Sequence, residues 1–219
     1  MRIAVIGGTG NAGSSIVEEA LERGHDVVCL SRNPADVVHT EFPDIDSRFG
    51  DCADVESLVS SIPRGTDVLV NAVMPDPDDP TSFGTWARNV VDAAKRCGVG
   101  RLVAVGDSCV FEVSPGVRLR DTSFLTPFYR TWYGVHELSH EVYLAEQELD
   151  WVEIAPAAKM FPDRRLRTYR VAVDALCTKD ATDPDYAAQS YIGLEDFGYA
   201  CLDEIERPTY HRQRICVAY

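Results

Sequence analysis

Residues 3–13 of the chain read IAVIGGTGNAG, a short apolar run followed by a glycine-rich turn. The run Ile3–Ile6 has the composition of a buried strand, and the glycines stand at Gly7, Gly10 and Gly13. Apolar residues spaced three and four apart then predict a helix from Ala12 to Arg23. Such a turn lets the backbone approach a pyrophosphate, which the free N–H groups of the helix N-terminus bind. We therefore predict a dinucleotide site formed by Gly7, Thr9, Gly10, Asn11 and Ala12.

The alternation of strand and helix continues along the chain. Further apolar runs lack the alternation of a half-exposed strand, as strands buried on both faces do; they are Val27–Leu30, Val68–Val73, Leu102–Val105, Val152–Ala155 and Ile215–Ala218. Helical spacing recurs between them, at Val55–Ile62, Phe83–Cys97, Tyr133–Gln147 and Leu194–Ile205. The pattern predicts an α/β fold, a doubly wound parallel sheet of the Rossmann type, with a small substrate-binding appendage after the sixth strand.

The length of 219 residues suits one domain, so we predict a single NAD(P)-binding Rossmann domain over residues 1–219. Two segments escape the strand–helix pattern. Residues 111–132 are rich in aromatic side chains, and residues 157–192 mix arginine, aspartate and tyrosine without a clear period. Both follow strands on the carboxyl side of the predicted sheet, where open α/β folds bind ligands. We interpret them as substrate-side segments.

The composition excludes several classes of partner. Asp and Glu number 35 against 21 Lys and Arg, a net charge of −14 that repels nucleic-acid phosphates and anionic lipid. No run of about 18 apolar residues and no signal peptide is evident. The seven cysteines include no C-x-x-C pair, which is typical of reduced, buried thiols. We expect a cytoplasmic protein, monomeric or homodimeric, that binds neither nucleic acid nor membrane.

The end of the second predicted strand selects the cofactor. An acidic residue there would accept hydrogen bonds from a ribose 2'-hydroxyl, whereas a cation would pair with a 2'-phosphate. The chain places Arg32 at this end, and the acidic Asp26 lies at the opposite end of the strand. A guanidinium holds phosphate bidentately, so the sequence favours NADP(H), with NAD(H) as the alternative.

Several stretches together resemble the atypical short-chain dehydrogenases/reductases, in particular the NADH-flavin reductase group, which is related to the NmrA-like proteins and biliverdin-IX-beta reductase. The resemblance spans nearly the whole chain. It rests on residues 6–13, Ser31-Arg32-Asn33-Pro34, Gly50-Asp51, residues 102–106, EVSPGVRL at 112–119, Leu149-Asp150-Trp151 with Pro156-Ala157, and the ending 212–219.

The resemblance implies roles for particular residues. Asp51 and Cys52 would border the adenine, and Ala72 and Val73 would line the cofactor after the fourth strand. Ser108 would face the nicotinamide, and Pro156 and Ala157 would close over that ring.

The wider superfamily uses a Tyr-x-x-x-Lys pair as proton donor and electrostatic support, and here Tyr133 is followed at that spacing by Glu137. An ionised Glu137 would raise the pKa of Tyr133, where lysine would lower it. Tyr133 is thus a weak candidate acid. Because hydride transfer to an electron-poor ring needs less help from an acid, the departure favours a flavin or quinone as acceptor, or non-redox chemistry.

Residues 136–140 match the H-E-x-x-H pattern of zinc proteases. The chain should return to the sheet soon afterwards, and no second helix offers a third ligand, so we predict no metal site. His136 and His140 are alternatively an acid or base near neutral pH, or packed helix residues. The candidate catalytic residues are therefore Ser108, Tyr133, His136, Glu137 and His140.

A cluster of arginines is the remaining candidate site. Arg164, Arg165, Arg167 and Arg170 either form a salt-bridged loop or receive the phosphate of a flavin mononucleotide.

Three functions stay open at this point. The first is an NADPH-dependent reductase of a small planar aromatic substrate, flavin or quinone. The second is non-redox acid/base chemistry, such as isomerisation, cyclisation or dehydration, and the third is a regulatory module that senses the redox state of the dinucleotide.

Overall fold

A computed structural model describes residues 1–34, 45–180, 183 and 185–219. The strands of this part are β1 Arg2–Ile6, β2 Asp26–Ser31, β3 Asp46–Phe49, β4 Val68–Asn71, β5 Arg101–Val105, β6 Glu112–Ser114, β7 Val117–Arg118, β8 Asp150–Pro156, β9 Lys159–Phe161, β10 Arg170–Val173, β11 Tyr191–Gly193 and β12 Gln213–Ala218. The helices are α1 Asn11–Glu22, α2 Val55–Ser61, α3 Phe83–Arg96, α4 Pro127–Gly134, α5 His136–Ala145 and α6 Leu194–Glu206.

Eight strands form one central sheet in the order β10-β12-β8-β5-β4-β1-β2-β3. All neighbouring pairs are parallel except β10 and β12, which are antiparallel. Six of these strands coincide with the predicted apolar runs, and the predicted Rossmann-type α/β fold is confirmed. The order reverses between β1 and β4, and the chain returns to opposite sides of the sheet on either side of this point.

The sheet is buried on both faces, as its continuous apolar strands predict. In β1, the side chains of Ile3 and Val5 belong to a core cluster that α1 and α6 complete. Those of Ala4 and Ile6 belong to the cluster on the other face, which α2, α3 and α5 complete. Successive side chains of a strand point to opposite faces, so a strand covered on both sides needs apolar residues throughout. No helix in the described ranges is long and apolar enough to cross a membrane.

Two edge strands were not predicted. β3, with the sequence DSRF, and β10, with RVAV, lie at the two ends of the sheet and are only partly buried. An edge strand is covered less completely than a central one and so tolerates polar residues, which hides it from a search for apolar runs. β10 also lies inside the segment 157–192, so part of that segment extends the sheet.

The helix predicted from Tyr133 to Gln147 is two helices. α4 begins at Pro127, a favourable first helical residue, and ends at Gly134, and α5 begins at His136. Val135 terminates one helix and precedes the other. Tyr133 and Glu137 therefore lie on different helices.

Candidate active site

The glycine turn brings the N-terminus of α1 against the carboxyl end of β1. Gly7 has φ +80°, and a Cβ atom there would lie 2.8 Å from the carbonyl oxygen of Ala72. The N–H of Gly10 donates to the carbonyl of Gly7 at 3.0 Å. A Cβ atom on Gly13 would lie 2.1 Å from the Gly7 carbonyl oxygen. The close packing of backbone on backbone therefore requires glycine at Gly7 and Gly13.

A cavity of about 490 Å³ opens beside this turn, between the ends of β1, β2 and β4. Eight of the predicted cofactor residues line it: Gly7, Thr9, Gly10, Arg32, Asp51, Cys52, Ala72 and Val73. We call it the cofactor cavity. Its place, at the point where the strand order reverses, is where doubly wound folds bind dinucleotides.

Arg32 and Cys52 lie close enough to interact electrostatically. Burial raises the pKa of the Cys52 thiol to about 12, and Arg32 opposes that increase. Cys52 is therefore a neutral, apolar element of the wall. The Arg32 guanidinium is exposed at the end of β2, where the sequence predicts a partner for a 2'-phosphate.

A second cavity of about 540 Å³ adjoins the first and shares Gly10, Ala72, Met74 and Trp132 with it. We call it the acceptor cavity. The remaining predicted cofactor residues, Asn11, Ala12, Pro156 and Ala157, line it together with Ser108 and Tyr133. The two cavities thus bring together all twelve predicted cofactor residues and two of the five predicted catalytic residues.

Aromatic side chains of α4 form one wall of the acceptor cavity. The ring of Tyr133 stacks on Trp132 with centroids 5.2 Å apart and on Tyr129 with centroids 5.4 Å apart. The indole N–H of Trp132 donates to the carbonyl of Pro75 at 2.8 Å, which ties α4 to the loop after β4. Phe124 and Phe161 line the same cavity. The arrangement offers flat, polarisable surfaces to a ligand.

Tyr133 is a weak acid in this setting. Burial is the main cause that raises the pKa of its phenol, and the neighbouring Asp107 raises it further. The expected direction of the pKa change is confirmed, but the expected cause is wrong. The Glu137 carboxylate pairs instead with Arg118 and, at 2.7 Å, with Arg120, away from the acceptor cavity.

Ser108 begins a short 3-10 helix, Ser108–Val110, at the end of β5. The carboxylate of Asp107 accepts the N–H of Cys109 at 2.8 Å and so caps this helix. Asp107 therefore has a structural partner while it lines the cavity beside Ser108.

His136 is buried beneath the sheet, 1 % exposed, with its ring edge-on to Phe83 at a centroid distance of 4.8 Å. Neither of its ring nitrogens has a hydrogen-bond partner within the described part of the chain. Burial lowers the pKa of the imidazole, against the opposing influence of Asp107 and Glu153. His136 is consequently neutral near pH 7 and does not reach the acceptor cavity.

His140 is held by a buried carboxylate. Its Nδ1 lies 2.5 Å from an oxygen of Glu153, which is fully buried on β8. The other Glu153 oxygen lies against Gly106, where a Cβ atom would approach it to 2.8 Å. His140 is likewise absent from the described lining of the acceptor cavity. In residues 1–34, 45–180, 183 and 185–219, no group of three or more His, Cys, Asp and Glu side chains is placed to hold a metal.

The arginine cluster contributes to a salt-bridged surface. Arg165 pairs with Glu19 at 2.8 Å and Glu22 at 2.7 Å, and Arg167 lies over the ring of Tyr199. None of the four arginines lines the acceptor cavity among its described residues. The lining residues that the sequence did not single out include Met74, Lys159 and Met160, of which the last two belong to the predicted substrate-side segment 157–192.

The glycine turn, the cofactor cavity and the reversal of strand order define a Rossmann-type dinucleotide-binding protein. The chain belongs to the NAD(P)H-binding family, whose model matches residues 7–182. This membership confirms a nicotinamide dinucleotide as the cofactor, and it confirms the resemblance to the atypical short-chain dehydrogenases/reductases as an NAD(P)-binding group.

Solved structures of similar proteins cover the full chain. The "putative exported protein" of Burkholderia pseudomallei is 32% identical over 100% of both chains, with a TM-score of 0.85. The "putative epimerase" of Bacteroides thetaiotaomicron is 28% identical over 100% of this chain and 96% of that chain, with a TM-score of 0.86. The "putative NADH-flavin reductase" of Streptococcus pneumoniae TIGR4 is 22% identical over 100% of this chain and 99% of that chain, with a TM-score of 0.81, a likeness of fold alone.

Proposed function

We propose that this protein is an NADPH-dependent reductase of a planar aromatic acceptor, a flavin or a quinone. The observation that carries the proposal is the stacked aromatic wall of Trp132 and Tyr133 over a cavity that adjoins the cofactor cavity. A flat ring placed against this wall would lie beside the cofactor. The name of the Streptococcus pneumoniae protein of similar fold agrees with this chemistry.

The cofactor, when bound, supplies a hydride. The glycine turn and the N-terminus of α1 would bind its pyrophosphate, and Arg32 would pair with the 2'-phosphate of NADPH. Pro156 and Ala157, which line the acceptor cavity, would bound the nicotinamide end. The cavity volumes of about 490 and 540 Å³ fall in the usual range for ligand sites, so the residues present fit a dinucleotide and a ring-sized acceptor.

The protonation states of the site support an acceptor that needs little acid catalysis. The raised pKa keeps the Tyr133 phenol protonated but makes it a poor proton donor, and no cation of the described residues lowers that pKa. A carbonyl substrate would build charge on oxygen and require a stronger donor. A flavin or quinone ring accommodates the added electrons in its own π system.

A non-redox acid/base reaction is the second candidate. Asp107 and Lys159 line the same cavity, and the Bacteroides thetaiotaomicron relative carries the name of an epimerase. Against this candidate, His136 and His140 lie outside the described cavity lining, so the imidazoles that such a reaction would use are not on the surface that a ligand there would contact.

The test is oxidation of NADPH by the purified protein with FMN, riboflavin or menadione, measured without oxygen. We expect turnover with at least one acceptor and a raised KM for that acceptor in Trp132→Leu. Phe49→Leu is the matched control, because Phe49 is an exposed aromatic residue on β3 and lies outside both cavities in their described lining. Conversion of another substrate with NADPH unconsumed would favour the acid/base candidate, and NADPH binding without any turnover would favour a redox sensor.

We also propose a cytoplasmic location and a monomeric or homodimeric state. All seven cysteines are free thiols, and six are buried, as suits a reducing compartment. Cell fractionation and light scattering test these two points.

A further inference from the structure

Within the described lining of the acceptor cavity, Lys159 is the one cationic residue. It begins β9, which continues from the nicotinamide-side residues Pro156 and Ala157. The backbone around it is fixed: the N–H of Lys159 donates to the carbonyl of Ser190 at 3.0 Å, and β9 pairs in parallel with β11. The backbone that carries the lysine is therefore fixed at the wall of the cavity by a small sheet.

The ammonium group of Lys159 has no ion-pair or hydrogen-bond partner in the described part of the chain. Two other charged groups of this region, by contrast, have partners. Asp107, in the same cavity, caps a 3-10 helix, and Arg165, in the segment that follows β9, is occupied by Glu19 and Glu22. Lys159 is an exposed residue, so in a chain with 35 acidic and 21 basic residues it offers an unpaired cation that a ligand in the cavity can reach.

We infer that the acceptor carries an anionic side chain, a phosphate or a carboxylate, which pairs with Lys159 while its ring lies against Trp132 and Tyr133. The inference rests on the proposed function and narrows its substrate class from planar aromatic acceptors to anionic ones. Lys159 is thus a specificity-determining residue that touches the substrate away from the reacting atoms.

Electrostatics explain why one lysine distinguishes an anionic acceptor from a neutral one. The net charge of −14 repels anions at a distance, but salt screens this field beyond about 8 Å at physiological ionic strength. Among the described lining residues of the acceptor cavity the charged ones are Lys159 and Asp107, and the Asp107 carboxylate already accepts the N–H of Cys109. An anion bound to Lys159 gains a charge-assisted hydrogen bond that a neutral twin of the same ring does not make.

Matched flavins test the inference. Riboflavin and FMN share one ring system and differ by a phosphate, and 10-carboxymethylflavin offers a carboxylate. We measure kcat/KM with NADPH, and Kd by quenching of flavin fluorescence in the presence of NADP⁺, which requires no turnover. Lys159→Met should weaken FMN by about tenfold in both measurements and change riboflavin less than twofold.

Two variants serve as controls. Lys159→Arg keeps the charge and should restore most of the preference for the anionic flavin. Lys179→Met removes the same charge from an exposed residue outside the described lining of both cavities and should leave the FMN-to-riboflavin ratio unchanged. Loss with FMN alone assigns the site to phosphate, whereas loss with 10-carboxymethylflavin as well assigns it to anions in general.

Failure of this inference is distinguishable from failure of the proposed function. If the flavins are reduced but Lys159→Met leaves their ratio unchanged, the assignment of Lys159 is overturned and the reductase stands. If no flavin oxidises NADPH but FMN binding still weakens selectively in Lys159→Met, the anion site stands and the reductase fails. Equal loss with riboflavin and FMN, or no measurable FMN binding, overturns the anion site.

Discussion

Replacing Gly13 with alanine should stabilise α1 through helix propensity but disrupt the packing of the cofactor turn. Gly13 is the third residue of α1, where alanine is the better helix former by about 1 kcal/mol. The added methyl carbon would lie 2.1 Å from the carbonyl oxygen of Gly7, 2.8 Å from its carbonyl carbon and 3.0 Å from the Cα of Gly8. All three atoms belong to the backbone, so relief requires the turn itself to move.

The packing cost outweighs the propensity gain. Overpacking a well-packed site costs about 1 to 3 kcal/mol, and a backbone clash without a side chain that can rotate away belongs at the upper end. After subtraction of the helix gain, the free energy of unfolding should fall by about 2 kcal/mol. For a domain of this length that corresponds to a decrease in Tm of roughly 4 to 8 °C. Because the displaced turn is the predicted pyrophosphate site, NADPH affinity should fall at least tenfold.

Two further glycine variants separate the effects, with thermal unfolding and NADPH titration calorimetry as the assays. Gly24→Ala occupies open space at φ +79° and should lose about 1 to 2 kcal/mol of stability through its left-handed backbone while NADPH affinity is unchanged. Gly10→Ala meets no atom closer than 3.5 Å, so its stability should be nearly normal. Its methyl group would project into the cavity that Gly10 lines and should weaken NADPH.

If Gly13→Ala unfolds at or above the temperature of the unmodified protein, the backbone clash does not outweigh the gain in helix propensity. If that variant binds NADPH with unchanged affinity, the displaced turn is not the pyrophosphate site.

Three other predictions concern Arg32, Tyr133 and His136. Arg32→Ala should abolish a preference for NADPH over NADH, through loss of charge-assisted bonds of roughly 1.5 to 3 kcal/mol, as measured by calorimetry. Tyr133→Phe should reduce kcat with a flavin or quinone less than tenfold, under about 1.4 kcal/mol of barrier, since its raised pKa already makes it a poor donor. His136→Gln should flatten the pH dependence of the free energy of unfolding. Burial lowers the pKa of His136, so its contribution to stability is fully present above the unfolded-state pKa of about 6.5. As the pH falls from there to the folded-state pKa, that contribution decreases by about 1.4 kcal/mol per pH unit.

Each of these has a contradicting outcome. Equal NADPH and NADH affinities before mutation would remove the argument from Arg32. A loss above a hundredfold in Tyr133→Phe would make the phenol an obligatory acid. An unfolding free energy with the same slope below pH 6.5 in His136→Gln would assign that slope to groups other than His136.

The sequence by itself determined the six inner strands of the central sheet and the cofactor turn. Both rest on short-range rules: strands covered on two faces must be apolar throughout, and a backbone that approaches a pyrophosphate or another backbone must be glycine, as at Gly7 and Gly13. The twelve predicted cofactor residues line the cavities because the carboxyl ends of parallel strands meet at one edge of the sheet.

Only the tertiary structure decided the orientations beyond that edge. His136, Glu137 and His140 lie on the same helix, but their surroundings differ. His136 is buried against Phe83, and His140 binds Glu153. Glu137 pairs with Arg118 and Arg120. Their neighbours come from distant parts of the chain, so spacing along one helix cannot predict them. The break at Val135 and the unpaired Lys159 depend on the same long-range packing, because a side chain's partners are set by the elements that fold against it.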